Sequence, residues 1–344
     1  MKSCSAFWLA PSVVILGSLC FCPGTYAQDR TEIVKVNGFP RTYEIHLPAG
    51  YDRKKSYPLV LALHGAGGDA SAMAHLTHLD DTADKYGFIV VYPNARDGRW
   101  TVPQNENARP LGGIGPRSRG TGFPSDPENP RGMKVGGAPV HDMYFFNELL
   151  DQLESNYSVD SSQIYATGLS DGGFMDFRLA CEMAGRIAAI ATVAATMPQS
   201  MSEGCSDWSF RPVPVLMING TSDPIVSYNG RLGFGTGYFL FSAKETLKTW
   251  ARINECQGKP SRTTLPATSP GGLETHVDSY GECKENSEAI LYSVEKGGHA
   301  WPGGEQYMPA TIIGKTSVDL NANEIIWKFF AAHPMPAKQL QPAQ

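Results

Sequence analysis

Ile164-Tyr165-Ala166-Thr167-Gly168-Leu169-Ser170-Asp171-Gly172-Gly173-Phe174-Met175 is the stretch on which the reading of this chain turns. Its first half is apolar, as expected of a buried strand, and residues 172–185 carry a helical pattern. Between them stands a serine with a glycine two positions to either side. A serine at a sharp strand-to-helix turn has its hydroxyl exposed at the strand end, and side chains two residues away would collide there. Gly168 and Gly172 remove that collision. A bare Gly-x-Ser-x-Gly recurs by chance, and it is the strand before it and the helix after it that give this one meaning. The competing reading is a glycine-rich helix start whose serine only caps the helix.

The same alternation extends in both directions. Residues 31–37 and 41–47 alternate with a period of two, as half-buried antiparallel strands do. Residues 59–63, 88–92, 164–169, 187–194, 213–218 and 289–294 are mostly apolar on both faces, the pattern of buried parallel strands. Helical patterns at 71–86, 141–157, 172–185, 243–255 and 321–332 lie between and after them. Strands alternating with helices predict an α/β protein with a parallel sheet covered on both faces. Eight strands in this order, opening antiparallel, predict an α/β-hydrolase fold: one domain over 28–344 with a mostly parallel eight-stranded sheet. Two stretches lie outside that minimal sheet. Residues 97–137 hold nine glycines, six prolines and five arginines, the composition of a long binding loop. Residues 256–283 are an excursion with hairpin character.

A serine hydroxyl needs a base to become a nucleophile, and the base needs a carboxylate to orient it. In this fold the chain order is serine, acid, histidine. Asp223 follows the strand 213–218 and is the natural acid; Asp207 and Asp278 do not directly follow a core strand. His299 follows the last strand between glycine pairs, in Gly297-Gly298-His299-Ala300-Trp301-Pro302-Gly303-Gly304, whereas His276 sits in the polar excursion and His333 lies beyond the last helix. The developing oxyanion needs two backbone donors. Asp171 supplies one, and the loop His64-Gly65-Ala66-Gly67-Gly68 the other, with Ala66 first and Gly67 second. Trp301 and His64 are the candidate substrate-side residues. Trp301 is either a platform or a core aromatic, and His64 acts as a buttress of its loop rather than in proton transfer. His75 and His78 form a conceivable metal pair, but a solvated helical face explains them better, and no metal or cofactor is expected. Asp142 fits a helix N-terminus. Arg99, Arg109, Arg117, Arg119 and Arg131 either meet an acidic substrate or keep their loop soluble.

Composition narrows the partners. The 344 residues are 42% hydrophobic and 18% charged, with a formal charge of −5 and no basic block, which argues against nucleic acid and against a polybasic membrane-surface mode. Residues 1–27 carry Lys2, an apolar run over 7–21 and Thr25-Tyr26-Ala27 before Gln28, the form of a secretory signal peptide. Export leaves Cys181, Cys205, Cys256 and Cys283. Three pairings are open; the local one, Cys181–Cys205 with Cys256–Cys283, closes loops of about 25 residues, each worth about 3 kcal/mol. Without a Cys-x-x-Cys pair, zinc is the weaker reading.

Leu63-His64-Gly65, the stretch 165–175, Asn219-Gly220-Thr221-Ser222-Asp223 and Gly298-His299-Ala300-Trp301-Pro302-Gly303-Gly304 resemble the secreted polyhydroxybutyrate depolymerase and feruloyl esterase group, related to carbohydrate esterase family one. The likeness runs from about residue 38 to 332. It implies an α/β-hydrolase with Ser170, Asp223 and His299 as a triad, cleaving aryl or polymer-linked esters without a metal. Paired cysteines around 256–283 are also familiar there. Three departures stand out: Asn219 where the group usually has histidine, His141 where an acidic residue is common, and the length of 97–137. The expected partner is an ester of plant polysaccharide bearing feruloyl or acetyl groups. The alternatives are a short-chain polyhydroxyalkanoate, or a catalytically idle polysaccharide-binding module.

Overall fold

The computed structural model describes residues 28–102, 142–202, 205, 211–232 and 239–336. The expected leader at 1–27, most of the 97–137 stretch with Arg109, Arg117, Arg119 and Arg131, and also His141 and Asp207 lie outside the described residues.

Among the described residues the main sheet has ten strands, in the order β1-β2-β4-β3-β5-β6-β7-β12-β11-β10. In chain order these are β1 (Gln28–Val36), β2 (Phe39–Leu47), β3 (Tyr57–Leu63), β4 (Ile89–Pro93), β5 (Val159–Leu169), β6 (Ala189–Val193) and β7 (Val215–Gly220), then β10 (Ser261–Leu265), β11 (Thr275–Tyr280) and β12 (Ala289–Val294). Two-residue strands β8 (Arg231–Leu232) and β9 (Phe239–Leu240) pair separately. The central run from β4 to β12 is parallel throughout, and antiparallel pairs flank it on both sides. The class is the one expected, but the count is ten rather than eight. The two extra strands are β10 and β11, folded from the 256–283 excursion onto the β12 edge. β10 is Ser-Arg-Thr-Thr-Leu with every residue exposed, so no apolar pattern announces it.

Parallel strands buried on both faces give the core two halves. Along β3, Leu59, Leu61 and Leu63 face one cluster while Val60 and Ala62 face the other. The first half is closed by helices α3 (Asp142–Asn156), α4 (Asp171–Glu182) and α5 (Ala243–Ile253), through Phe145, Phe146, Phe177 and Trp250. The second is closed by α1 (Ala70–Thr77), α2 (Leu79–Tyr86) and α6 (Ala322–Ala332), through Met73, Leu79, Ile326 and Phe330. Each such side chain contributes about 1.5–3 kcal/mol by leaving water. Residues 71–86, expected as one helix, form two. His78 adopts a left-handed conformation (φ 49°, ψ 37°) and its amide closes α1 on Ala74 O, after which Asp80 and Asp81 favour a new helix N-terminus. Asp69 caps α1 by accepting from the Ala72 amide at 2.8 Å. The cysteines take the local pairing, Cys181–Cys205 and Cys256–Cys283.

Candidate active site

Ser170 ends β5 and precedes α4 with φ 57° and ψ −115°, a conformation non-glycine residues avoid. Its amide donates to Val193 O at 2.9 Å, and the helix begins when Phe174 N–H donates back to Ser170 O at 3.0 Å. The flanking glycines are required by contact. A Cβ on Gly168 would lie 2.5 Å from the carbonyl carbon of Gly172, and one on Gly172 would lie 2.2 Å from Leu63 O. The serine is therefore raised on a turn that sits against the end of β3.

Asp223 follows β7 and His299 follows β12, so both stand at the edge where the parallel strands end, as Ser170 does. Asp223 Oδ1 accepts two backbone amides, Ile225 and Val226, each at 2.8 Å. Its Oδ2 lies 2.7 Å from His299 Nδ1. Because a carboxylate accepts, Nδ1–H donates and Nε2 is left as the free nitrogen of the ring. Both residues are buried. His299 is held at its backbone as well, its amide on Ile313 O and its carbonyl on Tyr307 Oη at 3.0 Å. Burial, together with the charge of Asp223, pushes the Tyr307 phenol up to about 12. Among the described residues no direct hydrogen bond joins Ser170 Oγ to His299; such contacts are often long in ligand-free sites.

The loop 64–68 lies beside the serine, with Gly65 positioned so that a Cβ there would be 3.6 Å from Ser170 Cβ. Gly67 N–H is committed to Gly98 O at 2.7 Å and Gly68 N–H to Gly65 O at 3.0 Å, whereas Ala66 N–H has no acceptor among the described residues. Of the two candidate amides in this loop, that of Gly67 is thus already bonded and that of Ala66 is not, among the described residues. Asp171, the first residue of α4, has an amide with no partner inside its own helix. Its carboxyl, 1% exposed, is pushed up by burial against the pull of Arg99.

For the two substrate-side candidates the structure fits the alternative in which neither meets a substrate. Trp301 has no exposed surface, and its indole donates to Asn323 Oδ1 at 2.8 Å, so it is a core aromatic and not a platform. His64 is also buried; Nδ1 donates to Gly65 O at 2.8 Å and Nε2 accepts from Ala95 N–H at 3.0 Å. Desolvation lowers its pKa. With both nitrogens engaged it holds its loop and offers a substrate nothing. The rival groups stand elsewhere. Asp278 on β11 is paired with Lys244 and Arg262, His276 with Thr264 and Glu274, and His333 with Phe329 O. His75 and His78 each lie 3.3 Å from Glu305, and no cluster of metal-ligating side chains occurs among the described residues. Asp142 pairs with Arg41 at 3.0 Å and accepts from Thr101 N–H at 2.6 Å. Asn219 donates to Ala195 O at 3.0 Å. The segment 95–102 lies against the loop 64–68 through a buried Trp100; the sequence reading marked 97–137 as a binding loop but gave no role to Trp100 or to this contact.

The sequence profile of the family described as Esterase PHB depolymerase matches residues 41–101. NocK of Nocardia uniformis subsp. tsuyamanensis, assigned as an esterase, is 28% identical over 300 residues, covering 84% of this chain and 78% of that protein. Feruloyl esterase B of Piromyces equi is 27% identical over 266 residues, covering 76% of this chain; the match spans 43% of that longer protein. Among solved structures, the acetyl xylan esterase from Aspergillus awamori matches at TM-score 0.54 and 17% identity, covering 88% of this chain and 99% of its own, a likeness of fold. The chain is thus similar in sequence to esterases, a feruloyl esterase among them, and similar in fold to an acetyl xylan esterase.

Proposed function

We propose that this chain is a secreted serine carboxylesterase acting on aryl or polymer-linked esters, with feruloyl or acetyl esters of plant polysaccharide as the substrate class. The observation that carries the reading is the buried Asp223–His299 pair at the same sheet edge as a serine held on a strained, glycine-flanked turn. His299 Nε2 takes the Ser170 proton as Oγ attacks the ester carbonyl. Asp223 holds the imidazolium that forms, and the Ala66 and Asp171 amides receive the oxyanion. Collapse of the tetrahedral intermediate breaks the ester C–O bond, and His299 returns the proton to the leaving alcohol. Water, deprotonated by the same nitrogen, then attacks the acyl-enzyme, releasing the acid and restoring Ser170. The apolar run and cleavage pattern of 1–27, with two disulfides, support export.

The feruloyl preference draws on the Piromyces equi relative and the acetyl preference on the fold neighbour. A short-chain polyhydroxyalkanoate depolymerase is the second reading, favoured by the family match over 41–101. Turnover of methyl ferulate, acetylated xylan and a hydroxybutyrate oligomer by the purified mature chain tests all three. Preference for one of the first two supports the proposal, preference for the oligomer selects the second reading, and turnover of none leaves a binding module.

A further inference from the structure

We infer that the Asp171 side chain is a positioning residue for the oxyanion hole: its carboxylate anchors the segment 95–100, which in turn fixes the loop that presents the Ala66 amide. The inference rests on the serine-esterase reading and concerns a group that reading leaves idle, since only the backbone of Asp171 takes part in the proposed chemistry.

Asp171 Oδ2 accepts from Trp100 N–H at 2.9 Å and lies 3.5 Å from Arg99 Nε; Oδ1 has no hydrogen-bond partner among the described residues. The same segment then grips the loop 64–68 at three points. Ala95 N–H donates to His64 Nε2 at 3.0 Å, the Trp100 indole N–H donates to His64 O at 2.9 Å, and Gly98 O accepts from Gly67 N–H at 2.7 Å. One strap thus ties the residue after the nucleophile to the loop opposite it. The Gly98 carbonyl holds the Gly67 amide out of the hole, which leaves the Ala66 amide as the donor. Beyond Trp100 the strap is fixed by Asp142 and Arg178 on Thr101, so its anchor nearest the serine is Asp171.

A carboxylate is expensive to bury, and its removal would leave the Trp100 amide without an acceptor in a buried place. The strap would shift to recover one, carrying Gly98 and the loop with it. A displacement of about 1 Å in a catalytic constellation costs on the order of 100-fold in rate. Because the oxyanion forms in the transition state, the loss belongs in kcat rather than KM.

The test uses the full mature chain with Asp171→Ala, Asp171→Asn and Trp100→Phe. Two quantities are read: kcat and KM with p-nitrophenyl acetate, and the second-order rate at which a fluorophosphonate labels Ser170. Asp171→Ala should lower kcat roughly 30- to 100-fold with KM within about threefold, and should slow labelling in proportion. Asp171→Asn keeps an acceptor for Trp100 N–H and should recover about tenfold of that loss. Trp100→Phe leaves Asp171 and the Trp100 amide intact, removes the indole donor to His64 O with part of the ring packed on His64 and Phe146, and should lower kcat with the same signature; if Asp171→Ala does not fold, a wild-type kcat for Trp100→Phe overturns the inference. A kcat for Asp171→Ala within about threefold of wild type, a loss confined to KM, or Asp171→Asn no better than Asp171→Ala would each overturn the inference. A wild-type chain that neither turns over ester nor is labelled overturns the esterase reading itself, and this inference with it, a result the variants alone cannot produce.

Discussion

Replacing Gly172 by alanine places a methyl group where the turn meets the end of β3. The new Cβ would lie 2.2 Å from Leu63 O, 2.7 Å from Leu63 C and 2.9 Å from His64 O. Carbon–oxygen contacts are ordinary from about 3.4 Å, so the turn and the strand end must part by about 1.2 Å. All three opposing atoms are backbone and none can rotate aside. Overpacking of this kind costs about 1–3 kcal/mol, and a rigid backbone wall puts this case at the upper end. For a chain of this size, whose unfolding entropy is about 0.67 kcal/mol/K, that lowers the melting temperature by about 4–5 °C. The parting occurs between Ser170 and the residues that lead into the loop 64–68, so the nucleophile and the oxyanion donor separate by a comparable distance. A misplacement of about 1 Å corresponds to roughly a 100-fold loss in kcat. Thermal unfolding by circular dichroism and kcat with p-nitrophenyl acetate measure the two effects on one sample. Gly172→Ala with wild-type kcat and wild-type melting temperature would refute the packing argument. A lowered melting temperature with unchanged kcat would refute the coupling of this contact to the site.

Asp223→Asn removes the acceptor that orients His299 and should lower kcat by about 10³–10⁴-fold with the fold retained; a loss below tenfold, read by steady-state kinetics, would contradict that role. Asp176 is fully buried on α4, neither oxygen has a hydrogen-bond partner among the described residues, and desolvation pushes its carboxyl well above the usual range. A group whose folded pKa is raised contributes its full stability below the unfolded value of about 3.9 and loses it as pH rises toward the folded value. Asp176→Asn should therefore raise the melting temperature relative to wild type by more at pH 7 than at pH 4, and a difference independent of pH would contradict the burial argument. Cys181 and Cys205 are buried while Cys256 and Cys283 are half-exposed. Mild reductant with alkylation and mass mapping should modify Cys256 and Cys283 first; the reverse order would be inconsistent with the packing.

Legibility in the sequence followed the physics of each element. The strand Ile164–Leu169 and the glycines around Ser170 were readable because a buried parallel strand and a crowded turn restrict side chains directly. Asp223 and His299 followed from chain order and strand ends. The antiparallel strand Ser261–Leu265 was not readable as a sheet strand, since it is polar and exposed and owes its place to pairing with Thr275–Tyr280. The break at His78 needed a backbone conformation that no apolar period encodes. Trp301 has the same letter whether it lines a substrate or fills a core, and Asn323, which decides the matter, lies 22 residues away. The strap at 95–100 works through a carbonyl of Gly98 and amides of Ala95 and Trp100, groups every residue carries, so the sequence could not single them out.

The most direct test of the central claim is mass spectrometry of the mature chain after reaction with a fluorophosphonate, beside the Ser170→Ala and His299→Ala variants. The account predicts a single covalent adduct on Ser170 in the wild type, none in Ser170→Ala, and labelling slowed at least about 10³-fold in His299→Ala. An unlabelled wild-type protein that is folded, or an adduct on another residue with ester turnover intact in Ser170→Ala, would contradict it.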